Sequence, residues 1–365
     1  MIPVIEFVLG VAVLVYSAEK LIGYLVGVAS RWAISLFLIA VVFTGIEFDD
    51  LAFGVVLNME DLSDVALGTV IGTTIALTGI VLALAAIIAP TRVEVPRDYL
   101  ALYVAAPVVM FLLALGGLLT AGTGVVLILL FVAFVGWIAY REYSARRPVW
   151  RNAEVYEQLE KAGVAAAGST TATVAPSGPP RTDAAAGSPG FRLPEDLRVD
   201  DGFLKARAQP PGRTILFAVI ALIGLVVGAL IAGQGTEGIL ETWAISGTVF
   251  GVTIATLALS LEDILITVEP ARRGAPEIAV ANVLGSVVFS VTGKLGVILL
   301  VGGAIVVDPT ALVWHLPVLL GLTVLSAVFL GTGRIRRWHG VVLLVLYVAY
   351  FVISLTVFGG VPVDD

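Results

Sequence analysis

Five acidic side chains lie in the middle of two long apolar segments of this 365-residue chain, and they are the residues best suited to chemistry. They are Glu47, Asp49, Asp50, Glu262 and Asp263. A charge at the centre of a membrane-spanning helix costs about 2.5–3.5 kcal/mol or more, so such residues are rare and usually functional. Lys294 is the one basic residue near them in depth, and a single lysine cannot balance five carboxylates. A cation from solution is the remaining way to offset their charge.

The atoms available around these acids favour a hard metal ion. Carboxylates, hydroxyls and backbone carbonyls supply oxygen ligands, whereas the chain has no cysteine and its two histidines, His315 and His339, show no ligand spacing. Oxygen-only sites select ions such as Ca²⁺, Na⁺ or Mg²⁺ over zinc or copper. We therefore predict that Glu47, Asp50 and Asp263 contribute to a metal-cation site.

Helical spacing separates the polar residues that share a face from those that do not. Glu47 and Asp50 lie three residues apart and share a helix face, as do Ser260 and Asp263. We predict that these four residues bind the cation. Two acids are turned away from those faces and are accessory candidates: Asp49 and Glu262.

Two glycine-containing stretches, GTVIGTTIAL and ANVLGSVVFS, place hydroxyl groups opposite the acids. The hydroxyls predicted as cation ligands are those of Thr73, Ser286 and Ser290. Glycine followed by hydroxyls in mid-membrane is typical of a locally broken helix that exposes carbonyls to an ion. The alternative is that each hydroxyl bonds a carbonyl of its own helix. Both interpretations stay open at this point.

Lys294 continues the series Ser286 and Ser290 at a helical spacing of four, which places its ammonium group near the acids. We hypothesise that it pairs with Glu47 and stands in for one monovalent cation. The alternative is a lysine whose apolar stem lets the ammonium reach the membrane surface.

The elements that must position these residues are membrane-spanning helices. The chain is 59% hydrophobic and 13% charged, whereas water-soluble domains carry about 25% charged residues. Its apolar runs supply the ~20 residues that a spanning helix needs. Ten runs can be placed, at residues 3–29, 33–58, 64–89, 98–119, 122–141, 214–235, 242–268, 276–307, 310–331 and 338–359.

The ten runs fall into two groups of five, separated by residues 142–213. This segment contains AAAGSTTATVAPSGPPRTDAAAGSPG, a composition that cannot bury a core and is typical of disorder. We predict a first five-helix repeat over 1–141, a largely disordered linker over 142–213, and a second five-helix repeat over 214–365.

Basic residues on alternate connections indicate the orientation of the chain. Apart from those of the linker, they are Arg31, Arg92, Arg97, Arg272, Arg273, Arg334, Arg336 and Arg337. By the positive-inside rule, both termini are expected outside and the linker in the cytoplasm. The chain is then a multi-pass protein of the cell membrane.

The two halves resemble each other in sequence. WAIS at 32–35 recurs at 243–246, FDDL at 48–51 pairs with LEDI at 261–264, and VIGT at 70–73 pairs with VLGS at 283–286. Five helices per half is an odd number, so the repeats must have opposite orientations in the membrane. Inverted repeats with interrupted core helices and polar groups near the midplane are typical of secondary transporters. The predicted fold is therefore an all-α integral membrane protein.

At these motifs the chain resembles the cation/calcium exchanger superfamily, particularly prokaryotic sodium/calcium exchangers. Each of that family's two alpha-repeats carries a G-T-S-L-P-E-L-type motif followed by a G-N-x-x-G-S-N-type motif. The second repeat follows the pattern without a gap from SGTVFGVT at 246–253 through SLEDI at 260–264. The step from Asp50 to Thr73 equals that from Asp263 to Ser286 and matches the family spacing from acidic ligand to serine.

The chain departs from the family at several motif positions. Asp50 and Asp263 stand where the family usually has glutamate, and Glu47 replaces a serine ligand. Two family prolines and two later Asn/Asp positions are also replaced, by Asp49, Glu262, Leu77 and Ser290. Asn282 is retained in the second repeat and is a further accessory candidate.

The resemblance implies a secondary active antiporter that exchanges Na⁺ for Ca²⁺ through one central site by alternating access. Such a protein is not an enzyme, needs no cofactor besides its transported ions, and meets inorganic cations and the lipid bilayer but no nucleic acid. An H⁺-coupled exchanger of Ca²⁺ or another divalent cation is the main alternative, and a channel is another. An intramembrane aspartyl protease would need two close aspartates sharing a proton, and the Tyr-Asp and Gly-x-Gly-Asp motifs of such enzymes are absent.

Overall fold

A computed structural model describes residues 2–29, 47–90, 92–145, 211–272 and 276–358. Some predictions lie outside these residues. They concern the second apolar run over 33–46, the linker over 146–210, the basic residues Arg31 and Arg273, and the C-terminal residues 359–365.

The described part consists of helices, four short π-helical turns and two short strands. The helices are α1 (Ile2–Ala29), α2 (Phe48–Met59), α3 (Ser63–Ala76), α4 (Leu82–Ile88), α5 (Arg97–Ala114), α6 (Ala121–Ala145), α7 (Pro211–Trp243), α8 (Gly247–Phe250), α9 (Thr256–Arg272), α10 (Pro276–Phe289), α11 (Leu295–Val301), α12 (Leu316–Gly331) and α13 (Arg337–Val357). The π-helical turns are π1 (Leu77–Val81), π2 (Gly251–Ala255), π3 (Ser290–Lys294) and π4 (Ala311–His315). The strands β1 (Leu118–Leu119) and β2 (Ile305–Val306) pair antiparallel.

Within the described residues, nine helical segments are long and apolar enough to cross a membrane. Three of them are mostly buried inside the protein, namely Ser63–Ile88, Gly247–Ile264 and Ala279–Val301, whereas the outer helices present apolar side chains on their surface. Inner helices shielded by outer ones are what a polar site within a bilayer requires, because lipid cannot satisfy polar groups. The prediction of an all-α membrane protein is confirmed.

The core helices are interrupted by π-helical turns. In three membrane segments, a turn with wider hydrogen bonding separates two α-helical pieces: π1 follows α3, π2 precedes α9, and π3 follows α10. Such turns occur often at functional sites because they re-aim side chains within a helix. The helix α2 begins at Phe48, because Glu47 before it has the non-helical angles φ −75° and ψ 85°.

Glycines in the core allow helices of the two halves to cross closely, which differs from the expectation that they break the helix. Gly72 lies within the unbroken α3, and a Cβ there would stand 2.6 Å from Val252 Cα and 2.1 Å from Thr256 Oγ1. A Cβ on Gly68 would stand 2.6 Å from the Thr248 carbonyl. The missing side chains therefore allow α3 to lie against the start of α9.

One other expectation is revised. The apolar run predicted to end at 235 continues as α7 to Trp243, with Thr236 fully buried, because the polar residues there sit on a helix packed against α1. Neither histidine is exposed: His315 Nδ1 lies 2.8 Å from Tyr350 Oη, and the His339 ring stacks on Phe329.

Candidate cation-binding site

The centre of the site is the ammonium group of Lys294, the last residue of π3, whose side chain is 1% exposed. Its Nζ lies 2.8 Å from Glu47 Oε2, 2.7 Å from Asp50 Oδ2 and 2.9 Å from Thr73 Oγ1. An ammonium group carries three donors, and these three oxygens use all of them. The predicted pairing of Lys294 with Glu47 is confirmed, and it includes Asp50 as well.

The beginning of α2 positions the two carboxylates. Glu47 directly precedes the helix, and Asp50 lies in its first turn, so both face Lys294 as their spacing predicts. The unpaired backbone N–H groups of a helix start also favour negative charge there. Both residues are buried.

Two hydroxyls complete this arrangement. Ser290 Oγ donates a hydrogen bond of 2.9 Å to Glu47 Oε2, the same oxygen that Lys294 contacts. Thr73 Oγ1 donates to the Thr69 carbonyl at 2.9 Å while it accepts from Lys294. Thr73 therefore bonds a carbonyl of its own helix, as the alternative expected, and its role as a cation ligand stays a prediction. We call Glu47, Asp50, Thr73, Ser290 and Lys294 the lysine group.

The second half of the chain contributes buried oxygens that lack hydrogen-bond partners among the described residues. Ser260 and Ser286 are fully buried, and among the described residues neither Oγ has a hydrogen-bond partner. Asn282 donates from Nδ2 to Thr267 Oγ1 at 3.2 Å, but its buried Oδ1 also lacks a partner within the described residues. A buried polar atom without a partner costs about 1–3 kcal/mol, so it indicates a missing ligand or water.

The two acids of α9 lie within electrostatic range of the acids at the start of α2. Asp263 lies within electrostatic range of Glu47 and Asp50. Glu262 is likewise within range of Asp49, and both Glu262 and Asp263 are partly buried. We call Ser260, Asp263, Asn282 and Ser286 the second-half group.

The predicted metal ligands do not enclose an empty metal site in this arrangement. Within the described residues, no three acidic or histidine side chains are placed to hold a metal ion together. The Lys294 ammonium stands between Glu47 and Asp50 instead. Their role as metal ligands, with Asp263, stays a prediction, as do the cation-binding roles of Ser260, Thr73, Ser286 and Ser290.

Sequence reasoning missed the residues that hold the ends of the site's helices. Asn58 Nδ2, at the end of α2, donates to the carbonyls of Ile298 and Gly303 at 3.2 Å each. Thr267, the partner of Asn282, was not singled out either. Both are single polar residues in apolar segments, and their spacing alone gives no sign of their partners.

Comparison with known proteins identifies the family of this chain. The model of the sodium/calcium exchanger protein family matches residues 2–140 and 213–356, which is most of the chain. The chain belongs to the sodium/calcium exchanger family. This family consists of membrane exchangers rather than enzymes, in agreement with the sequence expectation.

Some relatives match only part of this chain, and others match most of it. The sodium/calcium exchanger MaX1 of Methanosarcina acetivorans is 31% identical over 43% of this chain, and the match spans 42% of that relative's length. The inner membrane protein YrbG of Escherichia coli is 24% identical over 79% of this chain and 77% of its own. The solved structure of the sodium-calcium exchanger NCX_Mj, soaked with Na⁺ and Ca²⁺, superimposes with a TM-score of 0.57 at 20% identity, covering 96% of this chain and 98% of that one. The last similarity establishes the fold.

Proposed function

We propose that this protein is a secondary active antiporter that exchanges Na⁺ for Ca²⁺ through one central site. The observation that supports it most is the buried contact of Glu47 and Asp50 with Lys294, which joins the two halves of the chain inside a protein whose outer helices are apolar. Membership of the exchanger family and the relative named as a sodium/calcium exchanger support the same proposal.

The charges of the site suit a divalent ion. Lys294 offsets one negative charge, so Glu47, Asp50 and Asp263 together leave two when all are ionised. Uncompensated charge at membrane depth is costly, and one Ca²⁺ or two Na⁺ would neutralise this remainder. Two sets of ions that neutralise the same carboxylates must compete for them, which is the basis of exchange.

The ligand types favour sodium as the coupling ion. Ser260 and Ser286 present buried hydroxyl oxygens without partners in the described part of the chain, and hydroxyls bind sodium but take up no proton near neutral pH. Proton-coupled exchange of a divalent cation is the second candidate, because carboxylates bind protons as well. No contact among the described residues favours it over sodium.

The decisive experiment is calcium uptake into proteoliposomes that contain the purified full chain. With a protonophore present and the pH equal on both sides, an outward sodium gradient should drive calcium in. Uptake driven only by a pH gradient, with no sodium movement and no competition between the ions, would favour the proton-coupled candidate. Calcium flux that needs no counter-ion would identify a channel instead.

Orientation is part of the proposal: both termini and the connections around Asp61 and Glu241 lie outside, and those around Glu94 and Arg334 lie inside. All four residues are exposed, and the chain contains no natural cysteine. Single cysteines at Asp61 and Glu241 should react with an impermeant thiol reagent in intact cells. Those at Glu94 and Arg334 should react only after permeabilisation, and a mixed pattern would contradict the inverted arrangement.

A further inference from the structure

Lys294 binds its neighbours in the way that a small monovalent cation would. Its Nζ is surrounded by three oxygens at 2.7, 2.8 and 2.9 Å, and two of them belong to carboxylates. Ser290 Oγ bonds to one of these carboxylate oxygens and closes the same space. Carboxylate and hydroxyl oxygens are also the ligands of hard metal ions. The ammonium therefore fills a place that such an ion could take.

The charges of Glu47 and Lys294 cancel. This pair adds a carboxylate and an ammonium to the site but leaves the joint charge of Asp50 and Asp263 unchanged. Moving the ammonium away would leave it buried without a partner, because the surrounding turn π3 is wholly buried. Breaking a buried ion pair in this way is strongly unfavourable.

We propose that Lys294 is a tethered cation that occupies one cation position of the exchanger. The inference rests on the proposed function and refines it, because Lys294 determines how many ions the site binds. The site binds one sodium ion fewer than it would if the ammonium group of Lys294 were absent. Transported sodium is then held by the second-half group, in which the oxygens of Ser260, Asn282 and Ser286 lack partners among the described residues.

Two substitutions at the same position separate this role from a structural one. Lys294→Ala removes the charge and leaves a space lined by the oxygens of Glu47, Asp50 and Thr73, which a sodium ion can enter. Lys294→Met removes the same charge but fills the space with an apolar side chain of similar length. Only the alanine variant should gain a sodium site.

The first test is the sodium dependence of thermal unfolding, measured on the purified full chain in detergent with choline replacing sodium at constant ionic strength. Because a ligand that binds only the folded state stabilises it by mass action, the slope of stability against the logarithm of sodium concentration counts the bound ions. Lys294→Ala should take up about one more sodium ion than the wild-type chain by this linkage. Lys294→Met should take up no more than the wild-type chain.

A second pair keeps the test decisive if the single variants unfold. Lys294→Ala combined with Glu47→Ser, and Lys294→Met combined with Glu47→Ser, both remove one positive and one negative charge. The first double variant should show the extra sodium ion and the second should not. Equal sodium slopes in the alanine and methionine series would overturn the inference. Lys20→Ala, which removes a lysine beside Glu19, is the control and should keep the wild-type slope.

Transport gives an independent measure that separates the two proposals. In proteoliposomes, the Hill coefficient for sodium should rise by about one in the Lys294→Ala, Glu47→Ser variant, since this coefficient is limited by the number of sites. An unchanged coefficient in a variant that still exchanges sodium for calcium would reject the tethered cation but keep the exchanger. Sodium slopes that differ as expected, in a chain that moves no calcium, would support the tethered cation and reject the exchanger.

Discussion

The lysine group and the second-half group are drawn from halves of the chain that are related in sequence. Their polar atoms differ, however, in how many have a hydrogen-bond partner. In the lysine group, the ammonium is bonded to three oxygens and Ser290 Oγ to one of these three, while Glu47 Oε1 lacks a partner among the described residues. In the second-half group, three buried oxygen atoms have no partner among the described residues. The difference arises from one residue, because Lys294 belongs to the second repeat by sequence but bonds to acids of the first. Sequence symmetry therefore does not make the two halves equivalent in binding.

The largest expected effects come from the central aspartates. Asp50→Asn and Asp263→Asn should each lower calcium uptake by at least ~100-fold, or about 2.7 kcal/mol, because each removes a charge that offsets the lost hydration of Ca²⁺. Their stabilities should differ, since only Asp50 bonds to Lys294. We expect Asp50→Asn to lower the free energy of unfolding by about 3 kcal/mol and Asp263→Asn to change it little.

Uptake into proteoliposomes and thermal unfolding in detergent measure these two effects separately. Asp61→Asn, on an exposed connection, is the control and should change neither. If Asp263→Asn destabilises the protein as much as Asp50→Asn does, the lysine group is not more strongly bonded than the second-half group.

The lysine group could be predicted from sequence in part. The spacing of Glu47 from Asp50, and of Ser290 from Lys294, places these side chains on common helix faces, and the structure joins them as expected. The bond from Lys294 to Thr73 was not foreseen, because it depends on how closely α3 approaches π3. Periodicity describes one helix at a time and contains no information about the distance between two helices.

The role of the glycines could not be predicted from the sequence of one helix either. The sequence GTVIGTTIAL suggested a broken helix, but Gly72 lies in a continuous one and faces Val252 and Thr256 across a close crossing. Glycine permits both a break and a close approach. Only the position of the second helix decides between them.

The next largest effect is expected on stability, where α3 crosses the helix of the second half that contains Val252 and Thr256. Gly72→Ala should lower the free energy of unfolding by about 2–3 kcal/mol, because its Cβ would meet the Val252 backbone at 2.6 Å and force the helices apart. Gly136→Ala, in α6 where a Cβ has no atom within 4 Å, should stabilise the helix by about 0.5–1 kcal/mol. Thermal unfolding of the two variants checks the contrast. Equal stability would show that the halves do not depend on this close approach.

Hydroxyl substitutions test whether the second-half group holds sodium. Ser260→Ala and Ser286→Ala should each raise the sodium concentration for half-maximal calcium uptake by about tenfold, or ~1.4 kcal/mol. Thr253→Val is the matched control, because the Thr253 hydroxyl is buried nearby in sequence but donates to the Val249 carbonyl of its own helix. A control variant that loses as much sodium affinity as the serine variants would remove these hydroxyls from the site.

The smallest effects are expected at the acids turned away from the lysine group. Asp49 lies within electrostatic range of Glu262, and neither is among the acids bonded to Lys294. Asp49→Asn and Glu262→Gln should therefore lower calcium uptake by no more than about threefold, or ~0.7 kcal/mol. Each also removes one of two like charges, whose proximity is unfavourable, so neither should destabilise the protein.

A variant that combines Asp49→Asn with Glu262→Gln tests whether these two acids bind the ion or only attract it. If the two acids act only by attracting cations towards the site, their effects on uptake should add, because neither touches the ion. High ionic strength should then reduce the losses, since attraction over a distance is screened by salt. Uptake as low as that of Asp263→Asn, unaffected by salt, would instead place Asp49 and Glu262 among the ligands. The helix-face argument that assigns the central acids would then fail for both repeats at once.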